Sequence, residues 1–68
     1  MSLGANVRNY REKCGLDQTE LAERIHVSQT MVSHIEAGRK LPSVPLLADI
    51  AKALDCTMDD LVRDSRTA

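Results

Sequence analysis

A short run of polar side chains near the middle of the chain has residue types that can recognise another molecule. Gln29, Thr30, Ser33 and His34 lie within the stretch 28–38, SQTMVSHIEAG. In a helix, at about 100° per residue, Thr30, Ser33 and His34 point to one side and Gln29 lies at its edge. Glutamine matches the hydrogen-bonding edge of adenine, and the other three can bond to several bases. A small polar face without a partner is the alternative interpretation, although solvated helix faces more often carry Lys and Glu pairs.

The residues around this polar face predict the helix that presents it, over residues 28–37. Ser28 is a favourable N-cap, and Gly38 is a favourable left-handed residue after the helix. Val32 and Ile35 are three residues apart on the opposite side, so they are expected to be buried.

The segment before this helix predicts a second helix that crosses it steeply. Asp17 and Glu20 have the spacing of a capping box and open that helix. Its expected buried residues are Leu21, Ala22 and Ile25. Only His26 and Val27 separate Ile25 from Ser28, and such a tight link is typical of a helix-turn-helix. We expect the position of His26 in this link to need a positive φ, which glycine adopts most easily. Histidine is among the non-glycine residues enriched in that region, so the turn is strained but possible.

The remaining helices are predicted from apolar spacing and caps. The first runs from about residue 5 to 14, and Gly15 ends it. Ser43 opens the fourth helix, and Thr57 with Asp60 opens the fifth. The stripe expected in the core of helix four is Val44, Leu47, Ala48, Ala51 and Leu54, with Ile50 flanking it and Leu46 exposed. Met58 and Leu61 are expected to face inward from helix five.

Length and composition limit the protein to one small domain. We assign residues 5–63 to that domain and 64–68 to a frayed tail. The 68 residues include no Trp or Phe, so aliphatic side chains must form the core. The net charge of −1 is low for a nucleic-acid binder, but a few well-placed contacts suffice.

The two cysteines and the hydropathy indicate a cytoplasmic protein without a metal or a cofactor. Cys14 and Cys56 share no ligand spacing with each other or with the two histidines, and we expect both to be buried or half-buried apolar residues. No transmembrane run, signal peptide or catalytic constellation is present, so we expect neither a membrane protein nor an enzyme.

Two positive charges follow the polar helix. Arg39 and Lys40 begin the loop after Gly38. Such a loop can simply be solvated. Beside a face that reads DNA bases, contact with phosphates is the favoured interpretation.

Several short motifs together resemble the phage-repressor helix-turn-helix family, also called the Cro/CI or XRE family. They are GLDQTELA at 15–22, VS at 27–28, IEAGR at 35–39, PS at 42–43, IAKAL at 50–54 and DDL at 59–61. The resemblance covers about residues 5–63. It implies an all-α, compact five-helix bundle of the lambda-repressor-like type, with the helix-turn-helix formed by helices 2 and 3 and with helix 3 in the major groove.

The resemblance also implies roles for individual residues. Gln29, Thr30, Ser33 and His34 match the base-reading positions of the family. Gln18 matches a glutamine that meets a DNA phosphate at a helix N-terminus. Arg11 and Glu36 match a structural ion pair between helix 1 and the end of helix 3.

The expected function is sequence-specific binding of double-stranded DNA by a homodimer on a two-fold operator. Leu41, Leu46 and Val62 are the candidate residues for the dimer interface. Such a regulator could be a phage- or plasmid-type repressor or a restriction–modification controller. The alternative is a protein-interaction module on the same fold, such as an antitoxin, which usually carries an additional interaction segment.

Overall fold

Residues 3–63 are described by a computed structural model, and within this range the chain forms five α-helices. They are α1 (Leu3–Lys13), α2 (Gln18–Ile25), α3 (Gln29–Glu36), α4 (Val44–Ala53) and α5 (Met58–Val62). α3 packs against α1 and α2, α4 packs against α2 and α5, and α1 packs against α5. The expected all-α five-helix fold is confirmed, whereas the expected frayed tail 64–68 lies outside the described residues.

Aliphatic side chains fill the space between these helices. The most completely buried are Leu21, Ile35, Ile50, Leu54, Leu61, Val7 and Val32. Burial of one such side chain contributes about 1.5–3 kcal/mol, so this set supplies the main driving force for folding. None of the helices between residues 3 and 63 is long and apolar enough to cross a membrane.

Local hydrogen bonds fix where the helices begin. Asp17 Oδ1 accepts from the N–H of Glu20 at 2.8 Å, and Glu20 Oε1 accepts from the N–H of Asp17 at 2.9 Å. Thr57 and Asp60 exchange the equivalent pair of bonds, each at 3.0 Å. Ser43 caps α4 as predicted. Both predicted capping boxes are therefore confirmed.

The buried side of α4 differs from the predicted stripe. Val44 was expected in the core but is 69% exposed, because it lies in the first helical turn, which the neighbouring helices do not cover. Ile50 was expected to flank the stripe but is only 1% exposed, since the buried face is centred on Leu47 and Leu54. Leu46 was expected to be exposed, yet it is half-buried and packs against the core.

The ends of α1 also differ from the prediction. The helix begins at Leu3 rather than near residue 5, and the Leu3 side chain is buried. It ends at Lys13, so Cys14 lies in the following turn. The prediction that both cysteines are buried or half-buried is wrong for Cys14, which is exposed because this turn carries it past the core. Cys56 is half-buried.

A buried asparagine joins the first described helix to the last. The side chain of Asn6 is almost fully buried in α1. Its Nδ2 donates to the carbonyl of Leu61 at 2.9 Å and to that of Arg63 at 2.6 Å. These carbonyls lie at the C-terminal end of α5, where backbone acceptors lack helical partners. Asn6 therefore acts as a side-chain cap for a helix more than fifty residues away.

Candidate nucleic-acid interface

The turn between α2 and α3 contains a residue in the left-handed region. His26 has φ 60° and ψ 42°, and its N–H donates to the carbonyl of Ala22. The N–H of Val27 donates to the same carbonyl at 3.0 Å. Ser28 then caps α3, with its Oγ accepting from the N–H of Met31 at 3.1 Å. The positive φ expected at His26 is confirmed, and the turn fixes the start of α3 against the end of α2.

α3 separates its apolar side chains from its polar ones. Val32 and Ile35 are 1% and 2% exposed and pack in the core. Among the four polar residues singled out by the sequence, Gln29 and Thr30 are exposed, whereas Ser33 and His34 are half-buried. The N-terminal half of the helix therefore offers more free polar surface than the C-terminal half.

The structure brings Arg11 and Glu36 together across the interface between α1 and α3. Arg11 Nε lies 2.6 Å from Glu36 Oε2, and Nη2 lies 3.1 Å from Oε1. Arg11 Nη1 also donates to the carbonyl of Leu16 at 2.8 Å. The two charged side chains keep only 10% and 5% of their surface exposed. The hydrogen bond to Glu36 raises the pKa of Arg11, so this guanidinium stays charged in its buried position.

Gln18 connects this ion pair to the polar face of α3. Its Nε2 donates to Glu36 Oε1 at 3.0 Å, and its Oε1 accepts from Gln29 Nε2 at 2.5 Å. The direction of both bonds follows from chemistry, because an ionised carboxylate only accepts and Gln18 must therefore present its amide nitrogen to Glu36. Sequence reasoning placed both glutamines at the interface but did not anticipate that they bond to each other.

The network leaves part of the Gln29 amide free. One N–H of its Nε2 is used by Gln18. The second N–H and both lone pairs of Oε1 remain, and these are the donor and acceptor that a bidentate contact with adenine needs. Gln29 is exposed, and its bond to Gln18 restricts the rotation of the amide.

The loop after α3 carries the two predicted phosphate-binding residues. Gly38 has φ 79°, and the N–H of Arg39 donates back to the carbonyl of His34 at 2.9 Å. Arg39 and Lys40 are exposed, and within residues 3–63 neither forms a salt bridge. Both positive charges are therefore available beside the end of α3.

The three candidate residues for a dimer interface differ in exposure. Leu41 is 75% exposed and Val62 is 43% exposed. Leu46 is half-buried against the core, so it has less surface to offer than the sequence indicated. Val44, which was not a candidate, is more exposed than Val62.

Between residues 3 and 63, the structure forms no cluster of three or more His, Cys, Asp or Glu side chains that could hold a metal ion. The thiol of Cys14 donates to the carbonyl of Leu54 at 3.4 Å. Burial raises the pKa of the Cys56 thiol, which favours its protonated form. Neither cysteine forms a disulfide.

Comparison with known families agrees with this geometry. A family model described as helix-turn-helix matches residues 7–61. The chain belongs to this family, of the XRE or Cro/CI type. The matched segment contains the whole of α2, α3 and α4.

Individual relatives and solved structures support the same assignment. The ImmF control region 10 kDa protein of Bacillus phage phi105 is 39% identical over 59 residues, which are 87% of this chain and 66% of the phage protein. The clp gene regulator ClgR from Corynebacterium glutamicum superposes with a TM-score of 0.86 at 39% identity, over 90% of this chain and 65% of that one. The P22 c2 repressor in complex with a synthetic operator superposes with a TM-score of 0.87 at 28% identity, over 93% of this chain and 96% of the repressor. The chain thus spans about two thirds of the phi105 and ClgR proteins.

Proposed function

We propose that this chain is a sequence-specific, double-stranded DNA-binding transcriptional regulator that inserts α3 into the major groove. The observation that carries the proposal is the oriented amide of Gln29, which Gln18 holds on the exposed face of α3. A fixed amide loses little conformational freedom on binding, so its contact with a base favours one sequence over others. The likeness to the P22 c2 repressor in its operator complex supports the same docking mode.

In this proposal the four polar residues of α3 read bases. Gln29 supplies a donor and an acceptor, and Thr30 lies beside it on the exposed half of the helix. Ser33 and His34 keep part of their surface free and contact bases nearer the C-terminal end of α3. Each good contact of this kind contributes about 1–3 kcal/mol of discrimination.

The contacts to phosphates come from the regions that flank α3. Arg39 and Lys40 provide positive charge without internal partners among residues 3–63. Gln18 lies at the first position of α2, where free backbone N–H groups favour an anion. The second N–H of its side-chain amide is also unused, so Gln18 can hold Gln29 and meet a phosphate together.

We further propose that the active form is a homodimer on a two-fold operator in the cytoplasm. A single domain of this size buries a small interface on DNA, and two copies on two half-sites make tight binding possible. Leu41 and Val62 are the candidate contact residues with the most exposed surface, and Leu46 contributes its exposed part.

The decisive experiment is selection of bound duplexes from a random pool, followed by analytical ultracentrifugation with and without the selected duplex. We expect an inverted repeat with half-sites about 10 base pairs apart and a complex that contains two chains. Failure to enrich any motif would overturn the DNA-binding proposal and favour a protein-interaction module. A motif bound by one chain only would overturn the dimer but leave DNA binding intact.

A further inference from the structure

The first turn of α1 touches the backbone at the end of α3. A Cβ atom built on Gly4 would lie 2.5 Å from the carbonyl oxygen of Glu36 and 2.6 Å from that of Ile35. Both neighbours are backbone atoms, so they cannot move away as the end of a flexible side chain could. Relief to an ordinary contact of 3.4 Å requires the two helices to separate by nearly 1 Å.

The surroundings restrict how such a separation could occur. Ile35 is 2% exposed and already packed in the core, so the end of α3 cannot move inward. α1 is held on one side by the bond from Arg11 to Glu36 and on another by the bonds from Asn6 to the end of α5. Any side chain at position 4 must therefore displace the C-terminal end of α3 or disturb these bonds.

We propose that Gly4 is a positioning residue for base recognition, because the missing side chain lets α1 set the position of the C-terminal half of α3. This inference rests on the proposed function. The N-terminal end of α3 is fixed separately, by the Ser28 cap and the turn before it. A side chain at position 4 therefore tilts the helix. It moves Ser33 and His34 further than Gln29, and binding sites tolerate little more than about 0.5 Å of such displacement.

The test compares Gly4→Ala with Gly15→Ala. Alanine normally improves a helix when it replaces glycine, so harm from Gly4→Ala would point to the contact with α3. Gly15 has φ +73°, and a Cβ there would meet no atom within 4 Å. Gly15→Ala therefore strains the backbone without touching α3 and is a matched destabilising control. Both changes are also made with Asp55→Gly, which relieves the positive φ of Asp55 and keeps the variants folded.

The first measurement is the backbone amide chemical shift of each free protein. For Gly4→Ala we expect the largest changes outside α1 at residues 33–37. For Gly15→Ala we expect smaller changes there, because Gly15 is linked to Glu36 only through Leu16 and Arg11. Unchanged shifts at 33–37 in Gly4→Ala would overturn the positional part of the proposal. This measurement does not depend on DNA, so it decides that part even if the wild-type protein binds no duplex and the proposed function fails.

The second measurement is duplex selection with the wild type, both glycine variants, Gln29→Ala and His34→Ala. The last two variants identify the base pairs read by each half of α3. We expect Gly4→Ala to lose preference roughly tenfold at the pairs read by His34 and to keep it at those read by Gln29. The inference would be overturned if Gly4→Ala kept the wild-type preference at every base pair. It would also be overturned if Gly15→Ala lost preference at the pairs read by His34 to the same extent.

Discussion

Helices α1–α3 and helices α4–α5 use polar side chains in different ways. In the first group, partly buried hydrogen bonds join three helices. They connect Glu36 to Arg11, which lies 25 positions earlier in the chain, and to Gln18, which lies 18 positions earlier. In the second group, the polar bonds within α4 and α5 are local caps, such as Thr57 with Asp60, and exposed pairs one helical turn apart. α4 is attached to the remainder mainly by apolar packing, whereas the end of α5 is also held by the bonds from Asn6 in α1.

This difference shows which parts of the molecule need a defined position. Apolar contacts are non-directional and tolerate small shifts, whereas a partly buried hydrogen-bond network fixes distances and angles. The network ends at Gln29 on the exposed face of α3, so geometric definition is greatest where base reading is proposed. Four predictions test this contrast, and the expected effect decreases from the buried network to the local cap.

Glu36→Ala should have the largest effect because it leaves Arg11 charged and buried without its partner. We expect a loss of about 3–5 kcal/mol in the free energy of unfolding, measured by denaturant titration. The control is Asp59→Ala, which removes a pair with Arg63 in which both side chains are more than half exposed, and it should cost under about 1 kcal/mol. Equal losses in the two variants would show that the network adds nothing beyond a surface pair.

Gln29→Ala should weaken DNA binding without weakening the fold. It removes the exposed end of the network, so the free energy of unfolding should change by less than about 0.5 kcal/mol. Affinity for the selected duplex should fall by about 1–3 kcal/mol, with preference relaxed at one base pair. Titration of labelled duplexes by fluorescence anisotropy measures both effects, and an unchanged base preference would contradict the assignment of Gln29.

Arg39→Ala should weaken binding to every duplex alike, because its charge lies outside the network and is assigned to a phosphate. The slope of log affinity against log salt concentration should become shallower by about 0.9. Arg24→Ala is a suitable control, since Arg24 is an exposed arginine in α2 that has no proposed role at the interface. A changed base preference with an unchanged salt slope would assign Arg39 to bases.

The capping box of α5 should produce the smallest effect, visible as a pH dependence of stability. Hydrogen bonds from Thr57, led by its backbone N–H, lower the pKa of Asp60 from 3.8. Because the pKa of Asp60 is lower in the folded protein than in the unfolded one, its ionised carboxylate stabilises the fold above the unfolded pKa of 3.8. This stabilisation is lost as the pH falls through the pKa of the folded state. The difference in unfolding free energy between wild type and Asp60→Asn should therefore shrink from about pH 5 to about pH 2.5. A constant difference would show that the carboxylate charge is not involved.

Much of the fold could be predicted from the sequence because its signals are local. A capping box is defined by two residues three positions apart, and the pairs beginning at Asp17 and Thr57 both formed as expected. The positive φ at His26 followed from the shortness of the link between two helices. Such features depend only on residues that are close together in the chain, so they can be recognised in the sequence.

The missed features depend on contacts between distant segments. Gly4 matters because α1 approaches the end of α3, and no local pattern encodes that approach. The bond between Gln18 and Gln29 depends on how α2 and α3 cross. Val44 continues the apolar spacing of α4, yet it is 69% exposed. Asn6 did leave a signal, since it is a polar residue three positions after Leu3 and four before Tyr10, at the spacing of the packed side of α1.

The asparagine bridge also constrains when the protein can finish folding during synthesis. Asn6 and its acceptors on Leu61 and Arg63 lie 55 and 57 residues apart in the chain. Ribosomes add about 5–20 residues per second, so roughly 3–11 s separate the synthesis of Asn6 from that of its partners. During that interval these two bonds cannot form, and α1 lacks one of the helices against which it packs. Residues 61–63 must therefore be translated before Asn6 can join α1 to α5.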